Sequence, residues 1–173
     1  MNFSIERTLE ILRQTPQTLR SMLGSLSDDW LHSNEGPETW SPYNVIGHLI
    51  VGEQTDWMVR AKIILRKEGM RKFEPFDRFA QFKMNQEQPI QFLLNQFETL
   101  RNENIAELNA LDIQKNDLIK TGIHPEFGEV TLQQLLSTWA VHDLGHIIQI
   151  SRVMAKQYAT EAGPWQAYLK VLQ

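Results

Sequence analysis

Two histidines four residues apart, His142 and His146, and a third far upstream, His48, are the residues of this chain whose type and spacing suit chemistry. A separation of four places both imidazoles of the pair on one face of a helix, one turn apart, within reach of a single metal ion. His48 stands in Trp40-Ser41-Pro42-Tyr43-Asn44-Val45-Ile46-Gly47-His48-Leu49, near the start of a second helix-like apolar run. If the two helices are neighbours, three neutral nitrogen ligands converge and at least one coordination position stays open, as a catalytic metal requires. Without a metal, two imidazoles on the apolar face of a capped helix would be buried with nothing obvious to satisfy them. His32 and His124 fall in loop-like stretches and receive no ligand role, although His124-Pro125-Glu126-Phe127-Gly128 could lie at a pocket mouth.

The run His142-Asp143-Leu144-Gly145-His146 also approaches the zinc-peptidase motif, in which glutamate follows the first histidine and acts as general base. Here aspartate replaces it, one methylene shorter and turned about 100° round the helix from His142. Asp143 is therefore expected to orient an imidazole or to pair on the flank of the fold. Glu53, Asp56 and Gln149 are further candidates to hold the ligands in place, and Gln149, one turn after His146, is the best placed of them. Gly52 and Gly145 are expected to leave space beside the ligands. Trp139, next to the ligand face, is the tryptophan expected near the site.

Four helical stretches must position these residues. The first runs from about Ser4 to Leu26 and contains Pro16, which should kink it because proline removes a backbone donor. Ser41 and Pro42 open the second, which carries His48 and should continue to about Lys67, where Gly69 offers a stop. A long connection to about Gln88 holds Phe73, Phe76, Phe79 and Phe82, so it is expected to pack on the body. The third helix opens at Pro89 and repeats Ile90, Leu93, Phe97, Leu100, Asn104, Leu108 and Leu111, with Asn104 the polar exception. Thr131 and Gln134 are spaced as a capping box for the fourth, which carries the histidine pair to about Tyr158. No strand-like alternation exceeds a few residues. The reading is all-α: one domain over residues 1–173, a four-helix bundle with a long connection between helices 2 and 3.

Composition narrows the chemistry. The 173 residues suit one domain, and 42% hydrophobic with 22% charged residues is ordinary for a globular protein. A net charge of -4 without a basic stripe argues against nucleic acid as a partner. With no cysteine, disulfides, zinc-thiolate sites and a cysteine nucleophile are excluded, so a metal must be held by His, Asp or Glu. No leader-like segment opens the chain and no apolar run approaches the roughly 18 residues of a membrane span, so a cytoplasmic protein with no membrane partner is expected.

Gly36-Pro37-Glu38-Thr39-Trp40-Ser41-Pro42, Val45-Ile46-Gly47-His48-Leu49-Ile50, Phe127-Gly128-Glu129-Val130-Thr131-Leu132 and Trp139-Ala140-Val141-His142-Asp143-Leu144-Gly145-His146-Ile147-Ile148-Gln149-Ile150 resemble the DinB/YfiT-like superfamily of candidate metalloenzymes. The likeness spans nearly the whole chain. It implies a four-helix bundle and a divalent metal (nickel, zinc, iron or manganese) held at His48, His142 and His146. Relatives include thiol S-transferases that use bacillithiol or glutathione, and a mycothiol-dependent isomerase. The resemblance thus implies a metal-dependent thiol S-transferase, with a low-molecular-weight thiol and a small electrophile as partners and a homodimer as one allowed assembly. Tyr43, Trp139 and the Phe73–Phe82 connection would wall the electrophile pocket. A non-catalytic metal-binding or stress-interaction protein, or a metal-dependent hydrolase, are the alternatives.

Overall fold

The structure, a computed structural model, describes residues 2–83 and 88–173; the last part of the expected connection, residues 84–87, lies outside the described residues. Helices α1 (Ile5–Leu23), α3 (Pro42–Thr55) continued by α4 (Trp57–Leu65), α5 (Ile90–Ala110) and α6 (Leu132–Lys156) pack side by side as a four-helix bundle, with the short α2 (Asp28–His32) between α1 and α3. The expected local signals set the helix starts. Ser41 Oγ accepts the Asn44 N–H while Asn44 Oδ1 accepts the Ser41 N–H, each at 3.2 Å, and Thr131 with Gln134 closes the same reciprocal box on α6 at 3.1 and 2.8 Å. Among the described residues no helix is long and apolar enough to cross a membrane.

Three features depart from the sequence reading. The second helix is not continuous to Lys67: it breaks at Asp56 and ends at Leu65. At the break Thr55 Oγ1 donates back to the Val51 carbonyl, a bond that bends helices, and the Trp57 indole folds against Gly52, where an added Cβ would sit 3.2 Å from its Nε1. Second, β1 (Thr121–His124) and β2 (Gly128–Thr131) form an antiparallel hairpin that the all-helical reading omits, turned at Gly128 with φ +71°. Four-residue strands are too short to show a period of two. Third, His32 lies at the end of α2 rather than in a loop, its ring 4.7 Å from that of Tyr43.

The connection after α4 joins the body through backbone pairing: Phe73 N–H donates to Ile123 O at 2.9 Å and Ile123 N–H to Arg71 O at 2.7 Å. Phe73 is buried beneath Gly122, Phe76 is half-buried, Phe79 is exposed, and Phe82, also exposed, meets Trp40 edge-on.

The bundle interior has two apolar clusters, one around Leu12, Met58, Ile64, Leu136 and Trp139, the other around Leu19, Ile46, Ile50, Phe97 and Ile150. On three helices a buried charge falls between members of the two clusters: Glu53 on α3, Arg101 on α5 and Asp143 on α6. Arg101 donates to Asp143 through both Nη atoms (2.6 and 3.0 Å) and to Glu53 Oε1 at 2.8 Å. Burial opposes the guanidinium's charge, but Asp143 and Glu53 outweigh it and hold Arg101 above the ordinary arginine range. The fourth helix joins as well. α1 runs unbroken through Pro16, whose missing N–H leaves the Leu12 carbonyl without its helical donor, and Arg101 Nη1 takes that carbonyl at 2.9 Å. Asn104, the polar exception of the α5 stripe, donates to the Glu53 backbone and carboxylate at 2.8 and 2.9 Å.

Candidate metal centre

The bundle brings the three expected histidines together from α3 and α6. His48 Nε2 lies 3.1 Å from His142 Nε2, and His146 Nε2 lies 3.0 Å from the same atom. Ligand atoms of all three lie within 4.8 Å of one another. The spacing of four on α6 does what helical periodicity requires, and the approach of α3 supplies the third nitrogen.

Each ring is held by its surroundings. His146 Nδ1 pairs with Gln149 Oε1 at 2.8 Å, as expected from the sequence, which puts the proton on Nδ1 and the lone pair on Nε2. Trp40 packs its ring 4.8 Å from His48 and stacks parallel to His146, Phe76 meets His48 edge-on, and Trp57 meets His142 edge-on at 5.0 Å. Trp40 is held near the site by its own loop, which Glu35 anchors to Arg152 of α6 at 2.7 and 2.9 Å.

Burial first, then the neighbouring His146 and the Arg78 guanidinium, push His48 down to about 3. Burial, followed by the other two histidines and Arg101, pushes His142 down to about 2. His146 is lowered by burial, against the opposing pull of Gln149 and Asp143. These shifts favour the neutral form of all three rings, the state a metal ligand needs. Neutral imidazole has one N–H, yet His142 Nε2 lies within hydrogen-bonding distance of two other Nε2 atoms, and Nδ1 of both His48 and His142 is buried with no partner among the described residues. The separations of 3.0 and 3.1 Å match two nitrogens about 2.1 Å from one ion at right angles. Donor type, charge state and spacing all fit a divalent metal.

The site forms the floor of a cleft of about 320 Å³, with Trp40, Trp57 and Phe76 beside the histidines and Arg60, Arg78, Asp56, His124, Glu126 and Phe127 further out. His124 thus does lie at a pocket mouth. Asp56 ion-pairs with Arg60, and burial nonetheless raises its carboxyl to about 6.

Several expected positions are corrected. Asp143 touches no imidazole by hydrogen bond and is not on the flank: it is fully buried against Arg101, because residue 143 turns from the cleft into the bundle axis. Trp139 does not wall the cleft; it is fully buried, donates to Glu53 Oε1 at 3.1 Å and stacks on Trp57, which takes the wall instead. Tyr43 is buried away from the cleft with its hydroxyl donating to Gln88 O. Gly145 faces solvent and has open space where a Cβ would stand, so Gly52 alone of the two glycines borders the cleft. Arg60, Arg78 and Arg101 escape the sequence reading. For Arg101 a signal existed, since Pro16 orphans a carbonyl that some buried donor must satisfy, and Arg101 follows Phe97 by one turn.

Comparison with known proteins places this arrangement in context. The chain superposes on YfiT from Bacillus subtilis, described as a probable metal-dependent hydrolase with an unusual four-helix bundle topology, with a TM-score of 0.73 over 94% of this chain and 91% of that one at 16% identity. It is similar also to TT2238, a four-helix bundle protein, with a TM-score of 0.51 and 20% identity over 83% of this chain and 95% of that one. At such identities the likeness shows the fold. No curated protein matches the sequence. The sequence profile of the DinB superfamily matches residues 11–150, a span that includes all three histidines and the buried arginine layer, and the chain belongs to that superfamily.

Proposed function

We propose that the chain holds a divalent metal at His48, His142 and His146 and uses it to transfer a low-molecular-weight thiol to a small electrophile. The observation that carries this reading is the convergence of three neutral Nε2 atoms on the floor of an open, aromatic-walled cleft. A divalent ion there would supply Lewis acidity, lowering the pKa of a coordinated thiol or water. Trp40, Trp57 and Phe76 offer apolar surface to an organic electrophile beside the histidines.

Hydrolysis, the activity named for YfiT, is the second reading, and it asks more of this chain. A hydrolase of the peptidase type needs a carboxylate base over the metal. Asp143 is bound in the core to Arg101, and of the carboxylates that line the cleft Asp56 is paired closely with Arg60, while Glu126 is an exposed side chain in a loose pair with Arg78. Thiol transfer needs no such base, which favours it.

The test loads tag-free, metal-free chain with nickel, zinc, iron or manganese and measures conjugation of bacillithiol or glutathione to haloaromatic and epoxide electrophiles. Acceleration should vanish in His48→Ala and, relative to the uncatalysed reaction, grow as pH falls below the thiol's own pKa. Fully metallated chain that accelerates none of these reactions would overturn thiol transfer.

A further inference from the structure

We propose that Arg78 and His124 form a carboxylate-binding rim on the cleft, so that the thiol taken up at the metal the three histidines would hold carries a carboxylate at its far end. The thiol half rests on the function proposed above; the carboxylate half rests on the rim alone.

His124 is built as a donor. Its Nδ1 accepts the backbone N–H groups of Glu126 (3.1 Å) and Phe127 (3.3 Å), which leaves the ring proton on Nε2. Stacking on Phe127 at 4.3 Å and an edge contact with Phe73 fix the plane of the ring. Burial and the nearby Arg60 lower its pKa, against the opposing pull of Glu126, which favours the uncharged ring. Among the described residues nothing accepts from Nε2, and His124 lines the cleft.

Arg78 supplies the charge. Of the two guanidinium groups lining the cleft, Arg60 is committed to Asp56 and lies over the Phe73 ring. Among the described residues Arg78 has only a loose ion pair, with Glu126 at 3.8 Å between side chains 69% and 62% exposed, well beyond the roughly 2.7–2.9 Å of a charge-assisted hydrogen bond. Arg78 and His124 line the same cleft, with Glu126 between them in its lining: its side chain faces Arg78 and its backbone N–H holds His124 Nδ1, which leaves Nε2 on the other edge of the ring. One guanidinium and one neutral N–H match a singly charged planar anion in number of donors and in charge. Glu126 is then the internal competitor, and an arriving carboxylate replaces it against Arg78.

The test uses tag-free chain loaded with cobalt(II). N-acetylcysteine and its methyl ester are titrated while the thiolate-to-cobalt charge-transfer band is followed; N-acetylalanine and its methyl ester are titrated by calorimetry. The acid of each pair should bind about tenfold more tightly than its ester, the worth of one charge-assisted contact. That ratio should fall to near one in Arg78→Gln and rise in Glu126→Gln, with cobalt content unchanged in both variants. A ratio equal in native and Arg78→Gln chains, as a carboxylate bound to the cobalt itself would produce, overturns the rim, as does an N-acetylalanine pair that binds equally or not at all. Absence of the thiolate band with both thiols in cobalt-loaded chain sinks the thiol reading alone, and the N-acetylalanine pair still decides the rim.

Discussion

His48, His142 and His146 bring their Nε2 atoms to one point, while His32 and His124 are tied into other contacts. Replacing any of the three by alanine should abolish uptake of a divalent ion, and His32→Ala or His124→Ala should leave it near one per chain. Metal analysis of tag-free protein checks this, and equal loss in all five variants would point to general unfolding. Arg101 poses a different question. Arg101→Met strands two buried carboxylates and the Leu12 carbonyl, so it should cost about 3–5 kcal/mol in denaturant unfolding. Glu53→Gln keeps an acceptor for Arg101 and Trp139 and leaves one positive and one negative charge; it loses the Asn104 bond to the second oxygen, and should still cost less than Arg101→Met. Similar losses in the two variants would show that packing, not charge compensation, sets the value of this layer.

At the scale of elements, α3 and α6 carry the three histidines, and the hairpin and the connection after α4 build the outer wall. The hairpin can press on the connection only because residue 122 lacks a side chain: an added Cβ would stand 2.5 Å from the Phe73 ring. Gly122→Ala should therefore lose about 1–3 kcal/mol through overpacking. Gly145→Ala offers the opposite sign. This glycine is helical and exposed with nothing near its Cβ direction, so alanine should gain up to about 1 kcal/mol and leave metal uptake unchanged. Thermal or chemical unfolding of the two variants side by side checks both signs. A loss of metal from Gly145→Ala would restore the idea that this glycine makes room for the ligand.

For the whole molecule, the site's burial links stability to pH and to metal. His48 and His142 are held neutral down to about 3 and about 2, whereas in the unfolded chain they titrate near about 6.5. Below that pH the unfolded chain binds protons that the fold refuses. Their contribution is fully present above about 6.5 and is lost as pH falls toward about 3, at up to about 1.4 kcal/mol per pH unit for each ring. Denaturant midpoints of metal-free chain from neutral pH into the acid range measure this, and a flat profile would contradict the buried neutral rings. A bound divalent ion favours the native state by mass action, so adding it should raise Tm and chelation should lower it. No shift in either direction would mean that the histidines are not its ligands.

The parts of the protein readable in sequence are those set by local geometry. Helical periodicity pairs His142 with His146, the Ser41–Asn44 and Thr131–Gln134 neighbourhoods start two helices, and Gln149 sits one turn from the ring it orients. These interactions span three or four residues, and the chain's own stereochemistry decides them. What residues 48, 53, 57, 101 and 143 touch is decided across helices, over separations of 42 to 94 residues, by how the bundle packs. So Asp143, one residue from a ligand, turns to Arg101, Trp57 displaces Trp139 from the cleft, and a hairpin too short for a visible period carries His124 to its rim. Composition alone already confined a metal site to nitrogen and oxygen ligands; tertiary packing chose which charges are buried beside it and which arginine remains at its mouth.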